Sequence, residues 1–201
     1  MGRGERMTPA VFLDRDGTMV HDAGYLSRIE DLQWFPWTID AVRLFNRAGF
    51  LVCVTSNQGG VGLGLFPESF VHDVHDHMAT TLAAGGATID GWFYCPHYPT
   101  AVLPEFRFDC DCRKPKPGMI HQAAARFPID LARSFVVGDR APDIGLARSA
   151  GARGVLVRTG GGAAELVRTG QQTLGADHVA ADLMGAATWI LEQSGFPRVT
   201  A

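Results

Sequence analysis

Val11-Phe12-Leu13-Asp14-Arg15-Asp16-Gly17-Thr18 is a short apolar run that breaks off into two carboxylates, a glycine and a hydroxyl. Such a run suits a strand buried in a parallel sheet, its carboxyl end opening on a functional edge. Leu51 to Thr55 repeats the pattern. Between them Ile39, Val42 and Phe45 recur every three residues, and Gly49 stands where a helix would stop. Working outward, Pro67 to about Ala84 puts Phe70, Val74, Met78 and Leu82 on one helical face, closed by Gly85-Gly86. Ile89 to Tyr94 reads as a strand, Pro117 through Phe127 as a helix, Phe135-Val136-Val137 as a strand, and Asp143 to Ser149 as a helix. Val155-Leu156-Val157, His178-Val179 and a helix from Leu183 to Gln193 complete the alternation. Gly160-Gly161-Gly162 is expected to form a flexible loop. Strands alternating with helices predict a parallel sheet sandwiched by helices, with ligands bound at the carboxyl ends of the strands.

At 201 residues, 46% of them hydrophobic, the chain suffices for one good core and is short for two. A single domain over residues 10–195 is expected, after a flexible start over 1–9. Eighteen basic against 21 acidic residues, a net charge of -3, supply no basic stripe for tracking nucleic acid. No apolar run approaches the roughly 20 residues that span a bilayer. The polar start, with Arg3, Glu5 and Arg6, lacks the apolar core of a signal peptide. The expectation is a cytoplasmic protein with no membrane, nucleic acid or obligatory protein partner.

Asp14 and Asp16 should leave the sheet edge close together, where they repel unless a cation joins them, and magnesium prefers such oxygen ligands. One carboxylate can attack phosphorus while the other protonates the leaving oxygen. Ser56-Asn57-Gln58, at the end of the second apolar strand, offers a hydroxyl and amides to a phosphate. Arg113-Lys114-Pro115-Lys116-Pro117-Gly118 sets cations just before a helix N-terminus, where charge and backbone donors both favour an anion. Val136-Val137-Gly138-Asp139-Arg140 places an acid at a fourth strand end. Asp143, in the first turn of the next helix, is either a further ligand or a cap.

These four segments, in this order, resemble the motifs of the haloacid dehalogenase-like phosphatases, whose first is an aspartate, any residue, then aspartate-glycine-threonine. The resemblance implies an α/β, three-layer Rossmann-like fold without a large cap domain. It implies a catalytic set of Asp14 as nucleophile, Asp16 as acid and base, and Lys114. Ser56 and Asn57 would bind substrate, and Asp14, Asp16 and Asp139 would hold magnesium.

Cys95-Pro96-His97 and Cys110-Asp111-Cys112 add three sulfurs and an imidazole, the ligand count of a tetrahedral structural zinc, within a loop at about 95–112. This arrangement resembles the branch of the superfamily that comprises heptose bisphosphate and histidinol phosphate phosphatases. In that branch the loop reaches the substrate through Arg113-Lys114, so zinc would position a catalytic lysine. His21-Asp22-Ala23-Gly24-Tyr25 and the long loop before Cys110 resemble the heptose enzymes, whereas Gly138-Asp139-Arg140-Ala141 resembles the histidinol phosphate enzymes. The implied substrate is a small phosphorylated metabolite: D-glycero-D-manno-heptose 1,7-bisphosphate losing its 7-phosphate, with Arg113 and Arg140 on the phosphate that stays, or else histidinol phosphate. A catalytically silent zinc-binding scaffold is the alternative of another class. His72, Asp73, His75, Asp76 and His77 are read as a polar helix face rather than a metal site.

Overall fold

Six short strands carry the architecture, and in the computed structural model, which describes residues 7–169 and 174–195, all of them run parallel. They are β1 (Ala10–Leu13), β2 (Leu51–Asn57), β3 (Gly91–Cys95), β4 (Phe135–Gly138), β5 (Arg153–Val157) and β6 (His178–Ala180). Helices α1 (Thr38–Arg47), α2 (Glu68–Ala84), α3 (Gly118–Arg126), α4 (Ala141–Ala150), α5 (Gly162–Thr169) and α6 (Leu183–Gln193) connect or follow them. The spatial order is β3-β2-β1-β4-β5-β6. The direction of winding therefore reverses between β1 and β4, and a crevice opens at the carboxyl ends of those two strands.

Side-chain alternation assigns the two faces. Val11, Leu13, Val52, Val54, Val137 and Val155 point to the side covered by α1, α2 and α6, where Phe45, Met78 and Ile190 are fully buried. Ala10, Phe12, Cys53 and Val136 point the other way, onto Met119 and Ile120 of α3 and Leu146 of α4. Both faces are apolar because both are covered, which is why the strands read as unbroken hydrophobic runs rather than alternating ones. Cys53, at 0% exposure, is simply part of that packing.

The segments after β1 (residues 14–37) and after β3 (96–117) contain only the single turns Ile29–Asp31 and Pro104–Phe106, so no cap domain is inserted there. Of the stretch 1–9 expected to be flexible, residues 1–6 lie outside the described residues, while Thr8 exchanges backbone hydrogen bonds with Pro128 and Asp130. Among the described residues no helix is long and apolar enough to cross a membrane. Two local expectations are corrected. His75 does not share the polar face of α2: it is 4% exposed and stacks on Trp92 at 4.7 Å. The glycine triplet is no separate loop, since Gly162 starts α5 and Gly161 is bonded to Asp139.

Candidate active site and metal centre

β1 and β4 deliver the first two acids. The Asp14 amide donates to Val137 at 2.9 Å, extending the β1–β4 ladder by one residue before the chain leaves the sheet. Asp139 follows β4 directly and is 0% exposed. Two turns close on it. Gly17 (φ +84°) and Gly160 (φ +53°) lie so near the Asp139 carboxylate that a Cβ on either would collide with it. Their left-handed backbone admits little but glycine in any case. Thr159 ties the turns together by donating to the Gly17 carbonyl at 2.7 Å.

Lys114 reaches this point from the loop before α3. Its ammonium is 5% exposed at the residue level and donates to Asp14 Oδ1 (2.6 Å), Asp143 Oδ1 (2.6 Å) and the Thr55 carbonyl (3.0 Å). Three donors meet three acceptors, which fixes the nitrogen in space. The main chain is held as firmly: Lys114 N donates to Asn57 Oδ1 at 3.0 Å, and Asn57 Nδ2 donates to the Lys114 carbonyl at 3.3 Å. Asn57, expected to touch substrate, thus spends both ends of its amide on the lysine backbone. Asp143 has two jobs as well. Its Oδ2 accepts from the Arg140 amide at 3.0 Å and caps α4, while Oδ1 holds Lys114.

Carboxylate oxygens of Asp14, Asp139 and Asp143 lie within 4.8 Å of one another. One buried ammonium cannot balance three buried carboxylates. Burial pushes Asp14 well above the usual carboxylate range; Lys114 opposes this, and Asp143, Asp139 and Asp16 add to it. Asp139 is pushed up to about 6, first by burial and then by Asp143, against the Gly161 amide and Arg140. For Lys114 burial alone would lower the value, yet Asp14 and Asp143 together hold it above the ordinary lysine range. Asp139 Oδ2 accepts from Gly161 N (2.6 Å) and Arg140 Nε (3.3 Å), but Oδ1 is buried without a partner. An orphaned anionic oxygen amid excess negative charge fits a divalent cation.

The structure does not bring the Asp16 carboxylate into that group. It faces Arg15, with Nη2–Oδ2 at 2.9 Å, and accepts from Gln58 Nε2 at 3.0 Å. Gln58 Nε2 also lies 2.5 Å from Ser56 Oγ at the end of β2. Asp14, Asp16, Ser56 and Lys114 all line one open cleft of about 540 Å³, with Arg113 and Arg140 on its wall. Arg113 donates to the His97 carbonyl at 3.0 Å and lies 4.7 Å over the Tyr98 ring. Arg140, half exposed, pairs with Asp22 at 3.0 Å across the mouth. Arg15 and Gln58 were missed by sequence reasoning. Arg15 fills the "any residue" slot of its motif, and Gln58 was treated only as part of a phosphate-binding turn.

A second cluster abuts the first. The Cα of Cys95, the last residue of β3, pairs in register with that of Asn57. Its Sγ lies 3.5 Å from Cys110 Sγ and 3.6 Å from His97 Nδ1; Cys112 Sγ lies 3.4 Å from Cys110 Sγ and 3.2 Å from His97 Nδ1. These gaps exclude disulfides, whose sulfurs are about 2.0 Å apart. Four ligands set tetrahedrally about one ion, at about 2.3 Å for sulfur and about 2.0 Å for nitrogen, would be separated by about 3.5 to 3.8 Å. The observed edges are close to that, so the group could hold a metal ion. Hydrogen bonds from Cys95, and after them from Cys110 and His97, draw Cys112 down to about 5. The same contact with Cys112, and after it burial, push Cys95 up, so one thiolate, at Cys112, is favoured where a cation would sit.

Residues 111–186 match a family model described as HAD-hydrolase-like. The D-glycero-D-manno-heptose-1,7-bisphosphate 7-phosphatase of Thermosynechococcus vestitus is 41% identical over 186 residues, covering 90% of this chain and 95% of that one. The D-glycero-beta-D-manno-heptose-1,7-bisphosphate 7-phosphatase of Escherichia coli K12 is 41% identical over 157 residues, 77% of this chain and 82% of the relative. Among solved structures, the D,D-heptose 1,7-bisphosphate phosphatase of B. bronchiseptica, complexed with magnesium and phosphate, superposes with a TM-score of 0.81 at 32% identity, covering 92% of this chain and 99% of that one.

Proposed function

Because the chain belongs to the haloacid dehalogenase-like phosphatases, in the branch of the heptose-1,7-bisphosphate 7-phosphatases, we propose that it removes the 7-phosphate of D-glycero-D-manno-heptose 1,7-bisphosphate through an aspartyl phosphate on Asp14. One observation carries this: the buried Lys114–Asp14–Asp143 contact lies in the same cleft as two further guanidiniums, Arg113 and Arg140. A bisphosphate needs cationic partners at two points. The Lys114 end is suited to the phosphoryl group that leaves, and the arginines to the one that stays.

Asp14 attacks phosphorus, the ester P–O bond breaks, and Asp16 gives its proton to the departing sugar oxygen. Asp16 then takes a proton from the water that attacks the aspartyl phosphate, which frees Asp14 and inorganic phosphate. Lys114 and the Ser56 hydroxyl hold phosphoryl oxygens as charge builds on them, while Asn57 and Asp143 keep Lys114 in line. Asp14 and Asp139 would hold magnesium, whose bound charge would offset both the carboxylates and the phosphoryl oxygens. The Asp16 side chain, engaged by Arg15 and Gln58, is left for proton transfer.

Initial rates on the heptose bisphosphate and on histidinol phosphate, measured with purified protein in magnesium, test the substrate. The heptose compound is expected to be the better one by at least tenfold in kcat/KM, about 1.4 kcal/mol of transition-state binding. Clear preference for histidinol phosphate would overturn the assignment, and no turnover of any phosphate ester would favour the scaffold alternative.

The Cys95, His97, Cys110 and Cys112 group is proposed to bind one structural zinc, leaving no open coordination position for catalysis. Cys112 lies two residues before Lys114, so the ion would anchor the loop that delivers the lysine. Metal analysis is expected to find one zinc per chain. Cys110→Ser is expected to lose it, unfold at lower temperature, and lose activity that added magnesium does not restore.

A further inference from the structure

Arg15 is 3% exposed, and a guanidinium so placed is costly unless its donors are matched. Among the described residues the only carboxylate within bonding reach of it is Asp16, approached by Nε at 3.1 Å and Nη2 at 2.9 Å. Arg15 Nη2 also donates to Gln58 Oε1 at 3.1 Å, and Gln58 Nε2 donates to Asp16 Oδ2 at 3.0 Å. The three side chains form a closed ring. Its sense is set by the guanidinium, which only donates, so the amide turns its oxygen to Arg15 and its nitrogen to Asp16 Oδ2, an acceptor whether or not the carboxyl carries a proton on Oδ1. The ring is rooted in buried structure, since Gln58 is 5% exposed and its main-chain amide donates to the Cys95 carbonyl at 2.8 Å. Burial, and after it the Arg15 charge, lower the nearby His75 to about 3, so this imidazole adds no charge beside the ring.

We propose that Arg15 and Gln58 are positioning residues that aim the Asp16 carboxyl at the leaving-group oxygen. This rests on the assignment of Asp16 as proton donor. No bond joins the pair to Asp14 or Lys114; Gln58 Nε2 does reach Ser56 Oγ at 2.5 Å, but a disturbed Ser56 slows every ester alike, so the pair's share in the proton is read from a ratio of esters. As the P–O bond breaks, its electron pair goes to the ester oxygen. A sugar alkoxide needs the Asp16 proton at that moment, whereas a nitrophenolate leaves without one.

The test is therefore the ratio of leaving-group release rates in a single turnover, before the shared aspartyl phosphate is hydrolysed, on an alkyl and an aryl ester, the heptose bisphosphate and 4-nitrophenyl phosphate, for wild type, Asp16→Asn, Arg15→Met and Gln58→Met. A well-placed general acid contributes about 10²- to 10⁴-fold, and misaiming it through Arg15→Met is expected to cost about 10- to 100-fold on the sugar ester and under about threefold on the aryl ester, whereas Gln58→Met, which also loses Ser56, slows both and still lowers the ratio. Adding Arg15→Met to Asp16→Asn should cost nothing more, since both act through one group. If Asp16→Asn lowers the ratio but Arg15→Met and Gln58→Met lower both rates equally, the positioning role is overturned and the pair is merely structural. If Asp16→Asn itself leaves the ratio unchanged, the assignment of Asp16 has failed, and the proposal with it. Two variants at opposite corners of the ring keep the test decisive should either fold poorly, which melting temperatures would reveal.

Discussion

Asp14→Asn is expected to abolish phosphate release in magnesium while leaving the metal-free protein as stable as wild type or more so. The loss of rate should be on the order of 10⁴-fold or greater, because Asp143, the other carboxylate on Lys114, is 1% exposed and tied down by the α4 cap. The stability follows from charge. Asp14, Asp139 and Asp143 crowd one buried ammonium. The Asp14 carboxyl is held above its ordinary range, so its ionised form opposes folding at neutral pH. A neutral amide of the same shape relieves that repulsion, and Lys114 keeps Asp143 as its counter-ion at 2.6 Å. Magnesium, by contrast, should raise the melting temperature of the variant less than that of wild type, since one of its proposed ligands is gone. Wild-type turnover in Asp14→Asn would remove the nucleophile assignment. A large drop in its metal-free melting temperature would show that the carboxylate excess has been misjudged.

The same crowding explains how much of the site was legible in the chain. Asp14, Asp139, Ser56 and Lys114 sit at the ends of apolar runs or just before a helix, and in a parallel sheet those positions must converge. The strand order itself was not legible, because short buried runs carry no record of which neighbour they pair with. Asp143 could be narrowed only to ligand or cap. It proved to cap α4 and to fix the lysine at once, since its two oxygens face opposite directions. Gly160 and Gly161 looked like a flexible tract because glycine usually signals missing order. Here it signals close approach: the backbone must come within bonding distance of Asp139, and a side chain would block it. The link of Arg15 and Gln58 to Asp16 carried no signal. Their partnership with Asp16 spans residues 15 to 58 and exists only once β1 and β2 lie side by side.

Lys114→Met should damage rate and stability together, and the two losses can be separated. Removing the ammonium deprives the phosphoryl oxygens of a preorganised donor, a loss of about 10²- to 10³-fold in kcat for a group of this kind. It also leaves Asp14 and Asp143 buried without their cation. Breaking a buried pair by deleting one member costs about 3–5 kcal/mol, because the charge left behind has lost its water without gaining a partner. Lys114→Met/Asp143→Asn tests that origin. Asparagine keeps an oxygen for the Arg140 amide, so the α4 cap survives, but it carries no charge to strand. The double variant is expected to regain part of the stability in urea unfolding, the rest staying lost to the still unpaired Asp14, and none of the rate. If Lys114→Met alone unfolds no more easily than wild type, the ammonium contributes little to holding the two strand ends together. If the double variant recovers turnover, the lysine acts through Asp143 rather than on the phosphoryl group.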